Sequence, residues 1–330
     1  MAVRQRPSLK DVASFALLRT SALRAARGHR KTPAVARFLV ELESNVLTLE
    51  RELLTGSYMP RPLRTFRIYD PKPRLIAAAE FRDRVVHHAV CAVLQPFFEQ
   101  DADDNSFACR HGKGNFAAIK AAQRYARIYP RFVKLDIRHF FETVPHSVLK
   151  RLLTRYVFDP ALLALIGRIL DAGAASPGIG LPIGNLTSQH FGNAVLGIFD
   201  QYARRSLRVG ALVRYMDDIL LFGRSSAEVR HWSAEAELWV EKRLGMAIKA
   251  ERTLIAPTSL GIPYLGFRVF RSLIRLDAAR RRRLRRRLRM YERQRVSGYL
   301  TELEAQQRVG ATLAWAEQAH SRGLLRALIQ

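Results

Sequence analysis

The chain has 330 residues, 48% hydrophobic and 25% charged, a globular composition long enough to bury several apolar layers, which excludes a largely disordered protein. Its 55 Lys+Arg against 29 Asp+Glu leave a net charge of +26, and so large an excess repels itself unless a polyanion relieves it. Nucleic acid is the leading partner and an anionic membrane surface the weaker one. Two cysteines, Cys91 and Cys109, exclude a disulfide framework, a CxxC redox pair and a four-cysteine zinc site. No apolar run reaches the roughly 18 residues of a membrane span. The N-terminus has no signal-peptide core, so a cytoplasmic protein without membrane attachment is expected.

Residues 1–57 read as a helical segment, with Phe38, Leu39, Leu42, Val46 and Leu49 at helical spacing and Gly56 as a stop. Over 58–73, Pro60, Pro62, Pro71 and Pro73 bar a long helix around a β-like run at 65–69. A helix is expected over 80–98, ended by the acidic turn 101–104. RFVKLDI (131–137) is a strand ending on a carboxylate, and 146–172 is mostly helical. The glycine- and proline-rich loop 176–182 enters another helix after Gly184. ALVRYMDDILLFG (211–223) reads as two buried strands joined at a tight turn, and 262–276 as a further β-rich pair. The remainder is helical and dense in arginine. Strands set between long helices indicate an α+β fold, with a catalytic body at 58–275 and a helical module at 276–330.

The sharpest feature is Tyr215-Met216-Asp217-Asp218, flanked by Leu212, Val213, Ile219, Leu220 and Leu221. Apolar strands on both sides hold two acids in a partly dry setting, where an unpaired carboxylate is costly. Asp136 ends a second apolar strand. Acids from two strand ends make an oxygen-rich site for hard divalent cations, and Mg²⁺ suits it best. Asp is also a common turn residue, so the tetrapeptide alone could be a plain hairpin turn. The second strand-end acid and the basic chain weigh against that.

From about Tyr58 to its end the chain resembles a reverse transcriptase, with the motifs in the family's order. The resemblance implies a right-hand polymerase of fingers, palm and helical thumb. FVKLDIRHFF matches the first metal-binding motif, implying Asp136 and the Ile137 carbonyl as ligands. YMDD carries Asp217 and Asp218 over as catalytic ligands of two Mg²⁺ ions, for which Mn²⁺ can substitute. Such ions, about 3.5–4 Å apart, activate the attacking hydroxyl and stabilise the leaving pyrophosphate. Phe141, five positions after Asp136, corresponds to the aromatic that blocks a ribose 2′-hydroxyl, which implies selection of dNTPs; it also reads as a plain core aromatic.

PKPRLIAAAEFRDRVVHHAV resembles the fingers motif that grips the triphosphate, with Arg74 first and Lys72 second. Arg82 and Arg84 read as a solvated face or as RNA contacts. SFACRHGKGN resembles the next motif, with Arg110 as a phosphate or template contact beside Gly112 and Gly114, although a plain loop fits nearly as well. In GLPIGNLTSQ, Ile183, Gly184 and Gln189 would face the nascent base pair. Most retroviral and group II intron enzymes carry glutamine at the Ile183 position and proline at the Gln189 position. The form here resembles the diversity-generating retroelement enzymes, which copy a template-repeat RNA with frequent errors opposite adenine so that a target gene is diversified (retrohoming). Losing a hydrogen-bonding side chain at Ile183 would relax the check on nucleotide geometry, unless Ile183 is a packing variant. LGMAIKAERTLI and LGIPYLGFRVF resemble the last palm motifs, with Gly266 near the primer and Lys249 or Arg252 as candidate general acids, each also readable as a surface cation.

Residues 280–289 hold eight arginines in ten positions, while Leu284, Leu288 and Tyr291 form one narrow apolar stripe. A thumb helix tracking an RNA–DNA hybrid needs that pattern, with Arg281, Arg282, Arg285, Arg286 and Arg289 on phosphates. Leu313, Trp315 and Leu324 suggest a second thumb helix. The resemblance implies template RNA, its hybrid and dNTPs as partners, together with a basic helical accessory protein of the Avd type, in a bacterial or phage-encoded system. No Cys–His nuclease motif follows the thumb, which weakens a group II intron assignment. The alternatives are a retron-type or other bacterial reverse transcriptase in phage defence, and an RNA-binding scaffold that kept the fold and lost turnover.

Overall fold

The computed structural model describes residues 6–69, 73–316 and 319. Four helices open the chain: α1 (Leu9–Val12), α2 (Phe15–Ala25), α3 (Pro33–Val40) and α4 (Leu42–Leu54). Their starts are written in the sequence. Ser8 and Ser14 accept hydrogen bonds from Asp11 and Leu17 amides, and Pro33 opens α3 with its φ already fixed. Strands β1 (Arg64–Ile68) and β2 (Arg74–Ala78) form an antiparallel hairpin. Helix α5 (Phe81–Asp101) continues through Pro96 into the acidic stretch expected to end it.

The chain continues through α6 (Asn115–Ile128), β3 (Arg131–Asp136), α7 (Phe140–Thr143), α8 (His146–Leu153), α9 (Pro160–Asp171) and α10 (Leu186–Arg205). Next come β4 (Ala211–Tyr215), β5 (Asp218–Gly223), α11 (Ser226–Trp239) and β6 (Leu254–Pro257). It ends in β7 (Ile262–Tyr264), β8 (Phe267–Val269), β9 (Ile274–Leu276), α12 (Ala278–Val296) and α13 (Glu302–Ala316). The β-rich region expected as a pair is therefore three strands. They are short, because the glycine turn at 266 and the turn after 269 cut the run twice.

The residues pack as two compact units, neither a continuous stretch of chain. One draws on residues 1–103, 137–202 and 237–248. Its core lies among the N-terminal helices and α5, with Leu18, Val46, Leu53, Val85, Val86, Val90 and Leu94 buried. The other draws on 104–136, 203–236 and 249–330. It contains a four-stranded sheet in the order β4-β5-β3-β6 and the β7-β8-β9 meander, all neighbours antiparallel. Both faces of β4 and β5 are buried, so the strands read as continuous apolar runs without alternation. Phe132, Val213, Leu220, Phe222, Tyr264, Phe267 and Leu284 share one core cluster with helix α6. Leu284 is thus the buried point of the apolar stripe on α12. Among the described residues no helix is long and apolar enough to cross a membrane.

Candidate active site

The second unit gathers the three acids at one end of its four-stranded sheet. Antiparallel register sets Asp136, the last residue of β3, opposite Asp218, the first of β5, and Tyr215 of β4 also pairs with Asp218. Met216 and Asp217 form the two-residue connection between β4 and β5. Met216 sits at φ +52, the positive φ that tight two-residue hairpin turns demand of their first turn residue. Glycine usually fills that position, so a methionine there is held against its own preference.

Two lysines answer the charge of these acids. Lys134 Nζ lies 3.0 Å from Oδ1 of Asp218, and its aligned hydrogen bonds go to Oδ2 at 3.3 Å and to the Pro263 carbonyl at 3.1 Å. Lys249 Nζ lies 3.1 Å from Oδ1 of Asp136, and its backbone amide donates to the Asp136 carbonyl at 2.8 Å. Arg252 stands further off, 3.9 Å from Oδ2 of Asp136 and about half exposed. Burial pushes the Asp218 carboxyl up to about 6; Lys134 opposes that rise, while Asp217 and Asp136 add to it. The Asp218 Oδ1 atom is buried and receives no aligned hydrogen bond.

That buried oxygen, close to Lys134 but without an aligned hydrogen bond, and the cross-strand pair of carboxylates have the donor chemistry of a hard divalent cation site. Among the described residues no three His, Cys, Asp or Glu side chains converge as a ready-made ligand sphere. The lysines take the acids' charge instead. Ile137, expected to lend its carbonyl, is buried directly after Asp136, and its backbone bridges to Ile248.

The first unit assembles the segments expected to face the nucleotide. Arg74 is exposed at the start of β2, opposite Ile68; Lys72 lies outside the described residues. The Ala77 amide of β2 donates to the Ile183 carbonyl at 2.8 Å, and the Ala79 amide donates to Asn185 Oδ1 at 3.0 Å. Gly184 sits at φ +121 against Ile76, whose Cγ2 would be 2.7 Å from an added Cβ. The Leu181 amide donates to the Phe141 carbonyl at 2.6 Å. Phe141 packs on Phe140 with ring centroids 5.2 Å apart, below Gly192 of α10. Gln189 is exposed on α10. Arg74, Phe141, Ile183 and Gly184 therefore belong to one hydrogen-bonded set of segments.

Several cations differ from expectation. Arg84 is not on a solvated face: it is half-buried and donates to the Ala25 carbonyl at 2.9 Å, tying α5 to α2. Arg82 is paired with Glu52 and lies over the Tyr58 ring. Arg110 donates to the Ser106 carbonyl at 3.0 Å, within its own loop. Lys249 is not a plain surface cation, because it is the partner of Asp136. Gly266 packs against the Arg280 guanidinium, with which an added Cβ would collide. Arg281, Arg282, Arg285, Arg286 and Arg289 are all exposed on α12. Leu324 and the side chain of Trp315 fall outside the described residues.

Sequence reasoning passed over Lys134 and Arg214. Lys134 stands two residues before Asp136, on the same face of β3, which is a readable signal. Arg214 is a charge inside the apolar run of β4, where burial demands fixed partners.

A family model described as reverse transcriptase (RNA-dependent DNA polymerase) matches residues 69–269, more than half of the chain. Protein YkfC of Escherichia coli (strain K12) is 27% identical over 300 residues, covering 77% of each protein. The group II intron-encoded protein LtrA of Lactococcus lactis subsp. cremoris is 23% identical over 296 residues, 68% of this chain and 49% of that protein. A putative COX1/OXI3 intron 1 protein of Saccharomyces cerevisiae is 24% identical over 209 residues, and only 25% of its length is spanned. Among solved structures, telomerase from Candida albicans in complex with a TWJ fragment of telomeric RNA aligns with a TM-score of 0.53 at 11% identity, covering 82% of this chain and 55% of that one. Apo telomerase from Candida tropicalis aligns with a TM-score of 0.53 at 10% identity, covering 77% and 57%. At such identity the likeness is one of fold, and it agrees with the α+β right-hand polymerase class read from the sequence.

Proposed function

This chain belongs to the reverse transcriptase (RNA-dependent DNA polymerase) family, and we propose that it is the polymerase of a diversity-generating retroelement, copying a template-repeat RNA into cDNA with errors opposite adenine. The family membership makes it an RNA-directed DNA polymerase. The observation that carries the catalytic reading is the register pairing of Asp136 with Asp218 beside the Met216-Asp217 turn. The finer reading is supported by Ile183 and Gln189 in GLPIGNLTSQ.

Asp136, Asp217 and Asp218, with the Ile137 carbonyl, would hold two Mg²⁺ ions. Bound there, such ions lower the pKa of the primer 3′-hydroxyl and stabilise the departing pyrophosphate. The chain's own residues orient and neutralise around that exchange. Lys249, anchored on Asp136, is the better placed of the two candidate general acids, since Arg252 stands further off. Arg74 grips the triphosphate and Phe141 excludes the ribose 2′-hydroxyl. Ile183 presents a hydrocarbon where a glutamine would hydrogen-bond, so mispairs lose less on binding. The exposed arginines of α12 neutralise the phosphates of an RNA–DNA hybrid. The setting is the cytoplasm of a bacterium, with an Avd-type basic helical protein as an accessory.

A second reading, a group II intron-type enzyme, is favoured by the likeness to LtrA and to the yeast intron protein. Primer extension on an RNA template with Mg²⁺ and dNTPs, with and without the accessory protein, separates the two once the cDNA is sequenced. Substitutions clustered opposite adenine support the diversity-generating enzyme, and reverting Ile183→Gln should suppress them. Accurate cDNA keeps the polymerase and discards the Ile183 argument. No cDNA under any condition favours a catalytically silent scaffold.

A further inference from the structure

Arg214 is among the largest fully buried side chains, 1% exposed, in a strand where every neighbour is apolar or aromatic. A guanidinium in that position is tolerated when its donors have fixed acceptors, and those acceptors show what it does. Nη2 donates to Ser106 Oγ at 2.9 Å, and Nη1 donates to the Met216 carbonyl at 3.3 Å. Ser106 is itself fully buried. Its segment is pinned to β4 by two backbone bonds: the Arg214 amide donates to the Asn105 carbonyl and the Phe107 amide to the Arg214 carbonyl, each at 2.9 Å.

The Met216 carbonyl belongs to the peptide plane from which Asp217 departs. Met216 holds φ +52, a conformation its side chain disfavours and an unanchored turn would leave. A planar fork clamped at one end by Ser106 and bound to that carbonyl at the other fixes the orientation of the peptide. We infer that Arg214 is a positioning residue, which locks the Met216–Asp217 peptide from beneath and so sets the direction of the Asp217 carboxylate. The inference rests on the reading of Asp217 as a catalytic acid. It also gives a role to the SFACRHGKGN segment, whose Ser106 is the clamp on the fork.

Lysine cannot replace the fork, because one ammonium on a flexible stem does not hold both acceptors in a fixed plane. Glycine at position 216 relieves the strain that the anchor opposes, since it takes a positive φ without steric cost. The test is single-turnover primer extension with wild type, Arg214→Met, Arg214→Lys, Arg214→Met combined with Met216→Gly, and Ser106→Ala. Arg214→Met should lower the chemical rate about 10²-fold, the size of a small misplacement of a reacting group. The dNTP KM and primer–template Kd should stay near wild type. Arg214→Lys should remain impaired, and Met216→Gly should return roughly 10-fold of the loss.

Ser106→Ala, a milder change should Arg214→Met fail to fold, should cost roughly 10-fold in rate with little change in Tm. An undiminished rate in Arg214→Met or in Ser106→Ala would overturn the inference. So would a deficit that follows Tm and is untouched by Met216→Gly, since Arg214 would then only hold the core together. A wild-type protein that makes no cDNA would sink the polymerase reading and this inference with it. An active wild type with the variants unimpaired would sink the inference alone.

Discussion

Asp136 and Asp218 are direct partners across the β3–β5 ladder, and each carboxylate is held by a lysine, Lys249 at 3.1 Å and Lys134 at 3.0 Å. The site therefore carries its own counter-charges, and a divalent cation that binds Asp218 competes with the Lys134 ammonium. Lys134→Met should tighten Mn²⁺ binding by roughly 10-fold, the scale of changes in groups that touch metal ligands. A Mn²⁺ titration followed by electron paramagnetic resonance measures this. Weaker binding would mean that Lys134 stabilises the loaded site, and unchanged binding that it does not compete with the cation.

Arg281, Arg282, Arg285, Arg286 and Arg289 of α12 are exposed around a single buried leucine, Leu284. Replacing Arg281, Arg285 and Arg289 with glutamine should weaken primer–template binding and flatten the slope of log Kd against log salt by about 2 to 3 units, for three lost phosphate contacts. Fluorescence anisotropy across a salt series reads both. An unchanged slope would place the hybrid elsewhere.

Phe141 packs on Phe140, with ring centroids 5.2 Å apart, so its ring is backed by a neighbouring aromatic. Phe141→Ala should raise rNTP incorporation relative to dNTP by roughly 10- to 10²-fold, the reach of a steric pocket. Competition assays with matched dNTP and rNTP report the ratio. If it does not move, Phe141 is a core aromatic.

His87 on α5 is buried, and its imidazole is pushed down from 6.5 to about 4, by burial first and then by the neighbouring His88 and Arg84 side chains. The folded protein keeps it neutral, while the unfolded chain takes up a proton near its ordinary pKa. Its contribution is complete above about pH 6.5 and is lost as the pH falls toward 4, with about 2 kcal/mol gone near pH 5. In urea denaturation, His87→Gln should lose less stability than wild type between neutral pH and pH 5. Parallel losses would exclude His87 as the cause.

Much of the site was legible because its parts are local. Buried strands ending on acids, a tight turn between them and an arginine helix with one apolar stripe each follow from spacing and composition. The partners of the acids were not legible, because pairing across a sheet depends on register. Lys134 meets Asp218, 84 residues away in sequence, through the β3–β5 ladder and Pro263. Arg84 read as solvent-facing by its charge, yet it spans to the Ala25 carbonyl, a contact set by how two helices pack. Helix α6 was not among the expected elements, although Ala118, Ala122 and Ala126 are spaced for one buried face. Arg214 was passed over because its contacts are not local: Ser106, one of its acceptors, lies 108 residues away in sequence.

Primer extension by wild type and Asp217→Asn, on one RNA template with Mg²⁺ and dNTPs, tests the assignment of the chemistry to the strand-end acids most directly. Wild type should extend the primer. The variant should lose about 10³-fold or more, the several kcal/mol that metal-held charge stabilisation supplies, with its Tm and primer–template affinity near wild type. An Asp217→Asn protein that is folded, binds primer–template and extends it at the wild-type rate would contradict the account.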